Sequence, residues 1–442
     1  MKARALPARP SLEHYRKQAK SLLKACVSID PRLIDEWVAH WVETSAGEEA
    51  EVQARLRGIA LTEQLREVVH REEINRVKRK IAESKLVKPD PRLADAQFFL
   101  GRLHGFDSWS KFVGQVRASE RNSQDARFEA AADAIVSGDI QTLEQLLRKD
   151  PQLISARSQR THNAPLLHYV AANGVENFRQ KTPNNIVEIT RLLLEAGAEV
   201  NAESNGYGGG CTALGLAATS VHPERAGVQE ALLQTLIDHG AQIDKLGAGG
   251  SGHTVVEGCL WNGRGSAAAF LASRGARLTL ETAAGTGRTD VVKSFFSEDG
   301  RLQSFVNKER LQRGFLWACE YGYQEVVEFL LKHGADLRGQ AGTGEAALHW
   351  AVVSGKLPIL NLLLKHGAPL EEQNAYGGTA LNQAGWSFIN GDPQIDFMPI
   401  FRTLLAAGAR IEDGWLEWLE RQNMRPAAER SRVADLFRRY GA

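Results

Sequence analysis

Aromatic side chains and one acid recur at fixed distances before a set of loop glycines, and these residues have the clearest chemical potential in the 442-residue chain. Aligned on Gly138, Gly174, Gly263, Gly287, Gly322 and Gly355, the positions one, two and five residues earlier include Tyr169 and Asn173, Trp261 and Asn262, Trp317, Glu320 and Tyr321, and Trp350 and Ser354. Alignment on Thr379 adds Gln383 and Trp386. Four of the nine tryptophans therefore fall in one row. Indole and phenol faces offer buried area and cation-π attraction to an apolar or cationic small molecule, or to an extended peptide. Glu320, the only acid in the central row, can pair with a ligand cation or move protons as a general acid or base. Two glycine-flanked tyrosines, Tyr207 within Asn205–Gly210 and Tyr376 before Gly377, read either as exposed anchors of an interface or as rings lying back over the next turn.

Other chemistry is scarce. The chain has no His-Glu-x-x-His, Gly-x-Ser-x-Gly, phosphate-loop Lys-Ser/Thr or EF-hand pattern. Gly247–Gly252 fits Gly-x-Gly-x-x-Gly, but no strand-helix-strand unit surrounds it, so a turn is expected there rather than a dinucleotide site. The four cysteines, Cys26, Cys211, Cys259 and Cys319, lie too far apart for a local zinc or redox motif and read as reduced, buried thiols. No metal or cofactor is called for. With 54 basic and 53 acidic residues the net charge is +1, so no global field draws the chain to nucleic acid or an anionic membrane. A local cluster, Arg76, Lys78, Arg79 and Lys80, is diluted by Glu72, Glu73 and Glu83, which makes nucleic acid a weak partner class. The start carries no apolar signal region and no run reaches the length of a membrane span, so a cytoplasmic location is expected.

The elements that position the row follow from a repeated phrase, a double leucine, a polar pair and Gly-Ala. It stands at Leu193–Ala198, Leu330–Ala335, Leu363–Ala368 and Leu404–Ala409, with weaker copies ending at Ala241 and Ala276. The intervals of about 33 to 43 residues, one of them doubled, are those of a solenoid. Each unit reads as a glycine-rich turn, a short helix, a loop glycine, a leucine-rich second helix and the stop. Leu166–Ala171, Thr212–Ala217, Ala346–Ala351 and Thr379–Ala384 resemble the ankyrin pattern Thr-Pro-Leu-His-x-Ala. The resemblance spans about 290 residues and implies an all-α ankyrin solenoid of about eight units, beginning near 127, 160, 205, 249, 278, 310, 343 and 376. Insertions are expected at Glu176–Asn185, His222–Gln229 and Asn390–Met398, and the unit near 278 is truncated.

The resemblance also implies that His168 and His349 tie adjacent turns together by hydrogen bonds, and that the aromatic row faces the concave groove. Glu257 and Glu281 stand at the same pattern position and read as acceptors for neighbouring turn amides. Small residues such as Ala171, Ala217, Ala318 and Ala351 already fill the buried positions of the first helices. The tryptophans are therefore expected to face a ligand, the alternative being burial under the inserted loops. Residues 1–120 read as a separate helical domain, resembling the leader of a group of bacterial ankyrin-repeat proteins, with no activity implied. The solenoid is expected over 126–414 and a terminal helical cap over 415–442. The expected function is a noncatalytic scaffold that recognises a protein segment, a peptide or a small molecule; the alternative is an enzyme using the same groove with Glu320 as acid or base.

Overall fold

The computed structural model describes Leu6 and residues 10–28, 30–43, 63–119, 123–245, 253–340, 344–422 and 425–441. Among them every regular element is helical, and strand-like pairing is limited to three isolated bridges. The chain divides into two compact units, Met1–Gly258 and Cys259–Ala442.

The first unit opens with α1 (Leu12–Val27), α2 (Arg32–Glu43), α3 (Glu63–Ala82), α4 (Leu93–Leu103) and α5 (Trp109–Ser119). The Ser11 hydroxyl accepts the His14 amide and starts α1, while the Ser108 hydroxyl does the same for the Lys111 amide at α5. Their apolar faces meet in a core of Leu22, Val38, Trp41, Val77, Ile81, Phe99 and Leu100. The charged segment Glu63–Ala82 is one continuous helix.

Repeats follow as α6 (Gln124–Ser137), α7 (Ile140–Lys149), α8 (Ile186–Glu195), α9 (Ala213–Thr219), α10 (Val221–Arg225), α11 (Gln229–Asp238) and α12 (Val255–Trp261), whose last three residues belong to the second unit. The insertion at 222–229 holds α10, and the one at 176–185 holds a single 3₁₀ turn, Asn177–Arg179. The first helix of the unit near 160 is itself a 3₁₀ segment, Leu166–Ala171. Pro165 supplies no amide hydrogen on one side, and Ala172 enters the left-handed region at φ 48° on the other, leaving too few residues for an α-helix to propagate.

The second unit contains α13 (Gly265–Ser273), α14 (Leu280–Gly285), α15 (Thr289–Lys293), α16 (Lys308–Tyr321), α17 (Gln324–Lys332), α18 (Ala347–Val353), α19 (Leu357–Lys365), α20 (Ala380–Asn390), α21 (Met398–Ala406), α22 (Trp415–Glu420) and α23 (Ala427–Arg439). One core runs from Leu280 to Phe437. The truncated repeat ends its second helix α15 after five residues, and Phe296 then packs edge-on to Phe329 at 5.1 Å. At the far end Trp415 stacks on Phe437 with centroids 3.7 Å apart, over Phe401.

The repeated phrase has a local cause. In the copies ending at Ala198, Ala241, Ala276, Ala335, Ala368 and Ala409, the alanine amide donates to the leucine carbonyl five residues earlier at 3.0 to 3.2 Å. The intervening glycine takes φ between 78° and 95°, which closes the last helical turn and satisfies a carbonyl that the helix leaves open. Each acceptor, Leu193, Leu236, Leu271, Leu330, Leu363 and Leu404, is fully buried. The histidines act as ties: His168 Nε2 lies 2.9 Å from the Cys211 carbonyl and His349 Nε2 lies 3.0 Å from that of Gly378.

Candidate functional site

The site in the second unit is built around the shortness of α14. Its residues Thr282, Ala283, Ala284 and Gly285 are small, and Gly314 of α16 comes close enough that a Cβ there would sit 3.1 Å from the Glu281 Cα. Long side chains of α16 therefore pass over α14. Trp317 meets Trp261 edge to face at 5.4 Å, and the Tyr321 hydroxyl donates to the Leu260 carbonyl at 2.6 Å. The Tyr321 ring lies on Gly265, where a Cβ would be 2.4 Å from the ring.

This bracing sorts the row. Trp317 is only 4% exposed, so its expected place in an open groove is corrected: small residues on α14 leave the space that its indole fills. Trp261, supported by Trp317, keeps 49% of its surface exposed, and the Arg313 guanidinium lies 5.5 Å from its ring centroid. Trp386 on α20 is 56% exposed. Trp350 is half-buried against the core, and its Nε1 is buried without a hydrogen-bond partner. Gln383 accepts from Asn374 Nδ2 and donates to the Ser387 hydroxyl, which fixes it within its own repeat. Asn262 is exposed, and its carbonyl accepts from Arg264 Nε at 2.9 Å.

Glu320 is 9% exposed. Burial raises its pKa from the ordinary 4.5 to about 7, opposed by hydrogen bonding with Tyr321 and by the charge of Lys356. The Tyr321 hydroxyl is pushed upward, first by burial and then by Glu320. Among the described residues no ion pair joins Arg313 to a carboxylate, whereas the charge of Lys356 acts on Glu320. Hollows of about 230 and 890 Å³ open elsewhere in this unit, beside Phe388 and Arg425 and beside Lys332 and His366, and neither is lined by Glu320.

In the first unit the expected row breaks. Tyr169 is fully buried, with Arg179 over its ring at 5.7 Å, because the inserted segment folds back onto the 3₁₀ helix that carries it. Asn173 is used internally: its Nδ2 donates to the Leu216 carbonyl and the Thr219 hydroxyl, and its Oδ1 accepts the Tyr207 hydroxyl at 2.6 Å. Tyr207 thus lies back toward the preceding repeat with its ring still accessible. Tyr376, in the second unit, is 80% exposed. Glu281 faces Arg310 at 3.5 Å, and Glu257 faces His253 at 2.8 Å, so side chains rather than turn amides answer these acids.

A group that spacing did not reveal is a buried charge cluster in the first unit. Arg160 pairs with Glu176 and with Glu129 and donates through Nη1 to the His104 carbonyl at 2.7 Å. Arg179 pairs with Asp133 at 2.7 Å and Glu129 at 2.8 Å, and His162 Nε2 lies 3.5 Å from Glu176. Burial works to raise Glu176, but Arg160 and Arg179 hold its carboxyl well below the usual range. The Thr161 amide adds a hydrogen bond to the Gly105 carbonyl, so the turn after α4 and the segment after α7 are joined within this unit. The partners come from four separate segments, and no local motif marks them.

Arg76 pairs with Glu73 and Lys78 with Asp35, which further dilutes the basic cluster. Cys211, Cys259 and Cys319 are buried and Cys26 partly so, all unpaired. Gly247–Gly252 lies outside the described residues. Among the described residues no helix is long and apolar enough to cross a membrane, and no group of three ligating side chains could hold a metal ion.

A family model described as ankyrin repeats (3 copies) matches residues 280–374 and 315–412, all within the second unit. No curated protein matches the chain. Among solved structures it is similar to the ankyrin repeat domain of Bcl-3, described as a unique member of the IkappaB protein family, at 22% identity over 57% of this chain and 92% of that one, with a TM-score of 0.29. The repeated helix stop, the histidine tie of His349 and the family match together identify residues 280–412 as ankyrin repeats.

Proposed function

We propose that the chain is a noncatalytic recognition scaffold, and that the inner-helix face of its second unit carries the recognition. Ankyrin repeats are protein-binding scaffolds; the finer assignment rests on Trp261. An indole with 49% of its surface exposed, braced from below by Trp317 and flanked by Arg313, offers a partner apolar area that is already ordered. Trp386 extends the same chemistry along α20, and Tyr376 adds an exposed phenol at a turn tip.

The acidity of Glu320 favours the alternative, an enzyme with that carboxyl as acid or base. Against it stands the placement: little of the carboxyl meets solvent, and its neighbours Tyr321 and Lys356 already engage it.

The test is a Trp261→Ala, Trp386→Ala double variant. Both rings are largely exposed, so the melting temperature should stay within a few degrees of the parent while partner capture in a pull-down falls sharply. Undiminished capture by the folded variant would remove this face from the assignment.

A further inference from the structure

A hollow of about 230 Å³ opens in the second unit between the segment inserted after α20 and the last helix, α23. Neither of these walls belongs to the regular repeat. Glu429, Arg432 and Val433 stand three and four residues apart on α23 and so share the face turned to the hollow. Gln394, Ile395 and Asp396 of the inserted segment line it from the other wall.

The hollow is held open by one arginine. The Arg425 side chain, only 9% exposed, donates to three carbonyls of the facing wall: Nε to Phe388 at 2.5 Å, Nη1 to Pro393 and Nη2 to Asp392, each at 3.3 Å. It also pairs with Glu429 at 3.7 Å and lies over the Phe388 ring. Ile395 closes against Gly355, where a Cβ would stand 2.6 Å from its Cγ2. The cap is thereby tied to the insertion, and little ordering remains for a ligand to impose.

The lining has two parts. Phe388, Phe397 and Val433 are buried and form an apolar floor. Asp396, Glu429 and Arg432 are exposed and form a rim that carries both signs of charge. Arg425 answers Glu429, which leaves one acid and one cation on the rim. Asp396 uses Oδ1 to accept the Met398 amide at 3.0 Å and retains Oδ2. A wholly apolar ligand would dry this rim without replacing its water, and a plain anion or cation would meet a like charge as well as an opposite one. In so small a hollow the two charges of a ligand must stand close together. Drug-sized ligands occupy about 300 to 1,000 Å³, so this hollow suits a molecule on the order of ten non-hydrogen atoms.

We infer that the hollow takes a free α-amino acid with an apolar side chain: its carboxylate meets Arg432, its ammonium meets Asp396, and its side chain rests on the floor of Phe388, Phe397 and Val433. The inference is independent of the recognition face, which is built from other residues.

Calorimetric titration of the full chain with L-leucine and L-phenylalanine tests it. Each is compared with its own skeleton lacking the ammonium or the carboxylate, isocaproate and isoamylamine for the first, hydrocinnamate and phenethylamine for the second, and both with glycine. At least one of the two amino acids should bind about tenfold tighter than either of its skeletons and than glycine. Arg432→Gln and Asp396→Asn alter exposed side chains, and the asparagine keeps an acceptor for the Met398 amide. The melting temperature should therefore hold in both variants while each loses about tenfold in affinity. Equal binding of an amino acid and one of its skeletons, binding untouched by both variants, or no binding of either amino acid would each overturn the inference, and none of these results bears on Trp261.

Discussion

Glu320 is the residue whose environment is most at odds with its chemistry. A carboxyl that titrates near 4.5 when the chain is unfolded and near 7 when folded holds its proton better in the native state. Between those values the native state binds more protons than the unfolded one, so stability must fall as pH rises through that window. The expected loss is on the order of 3 kcal/mol above pH 7, and Glu320→Gln, neutral throughout, should abolish it. Urea unfolding of the second unit, followed at pH 5 and pH 8, checks this; an identical pH slope in the variant would refute it. His168 has the opposite sign. Burial first of all lowers it to about 4, so its contribution to the first unit is complete above the ordinary 6.5 and is lost as pH falls toward 4. Sequence spacing brought Glu320 into view, but nothing in the spacing predicts its depth, which follows from the packing of α16 across the short helix α14. The same packing buried Trp317 while leaving Trp261 out, although both were expected to face a ligand.

At the level of elements, the helix stops were legible because their cause is local. Each Gly-Ala follows its leucine within five residues, and the glycine conformation, the amide bond and the buried side chain belong to one turn. The charge cluster was illegible for the converse reason. Arg179 and Glu129 are 50 residues apart, Arg160 and the His104 carbonyl 56. Such a cluster is not a simple source of stability, since removing two charges from water costs nearly what their pairing returns, but removing one partner leaves the others buried and unbalanced. Glu176→Ala should therefore destabilise the first unit by about 3 to 5 kcal/mol. The loss should include the join between the turn after α4 and the Arg160–Thr161 segment, so amide exchange at Thr161 should rise together with the fall in melting temperature. An unchanged melting temperature would mean that Arg160 and Arg179 are satisfied without this carboxylate.

At the scale of the whole chain, a repeat array buries each helix pair only against its neighbours, so its last repeat has an apolar side with no repeat to cover it. Here α21 presents Phe401, Leu404 and Leu405, all buried, and α22 and α23 lie over that end of the second unit through Trp415, Val433 and Phe437. The tryptophan-rich start of this segment and the later Val433, Leu436 and Phe437 suggested a terminal cap from sequence alone, because apolar residues at helical spacing beyond the last stop have only the end of the array to pack on. Ending the chain after Asp413 would expose the Phe401 ring, now fully buried and packed edge to face on both Trp415 and Phe437. Fully burying a side chain of this size is worth roughly 1.5 to 3 kcal/mol, and several would be uncovered together. The truncated chain should therefore melt earlier in its second unit and scatter light on warming, while the first unit, with its own core and charge cluster, keeps its transition. Differential scanning calorimetry with parallel light scattering would resolve the two transitions. If both units lost stability equally, the two would have to unfold as a single cooperative body; if neither did, α21 would have to end the array without α22 and α23.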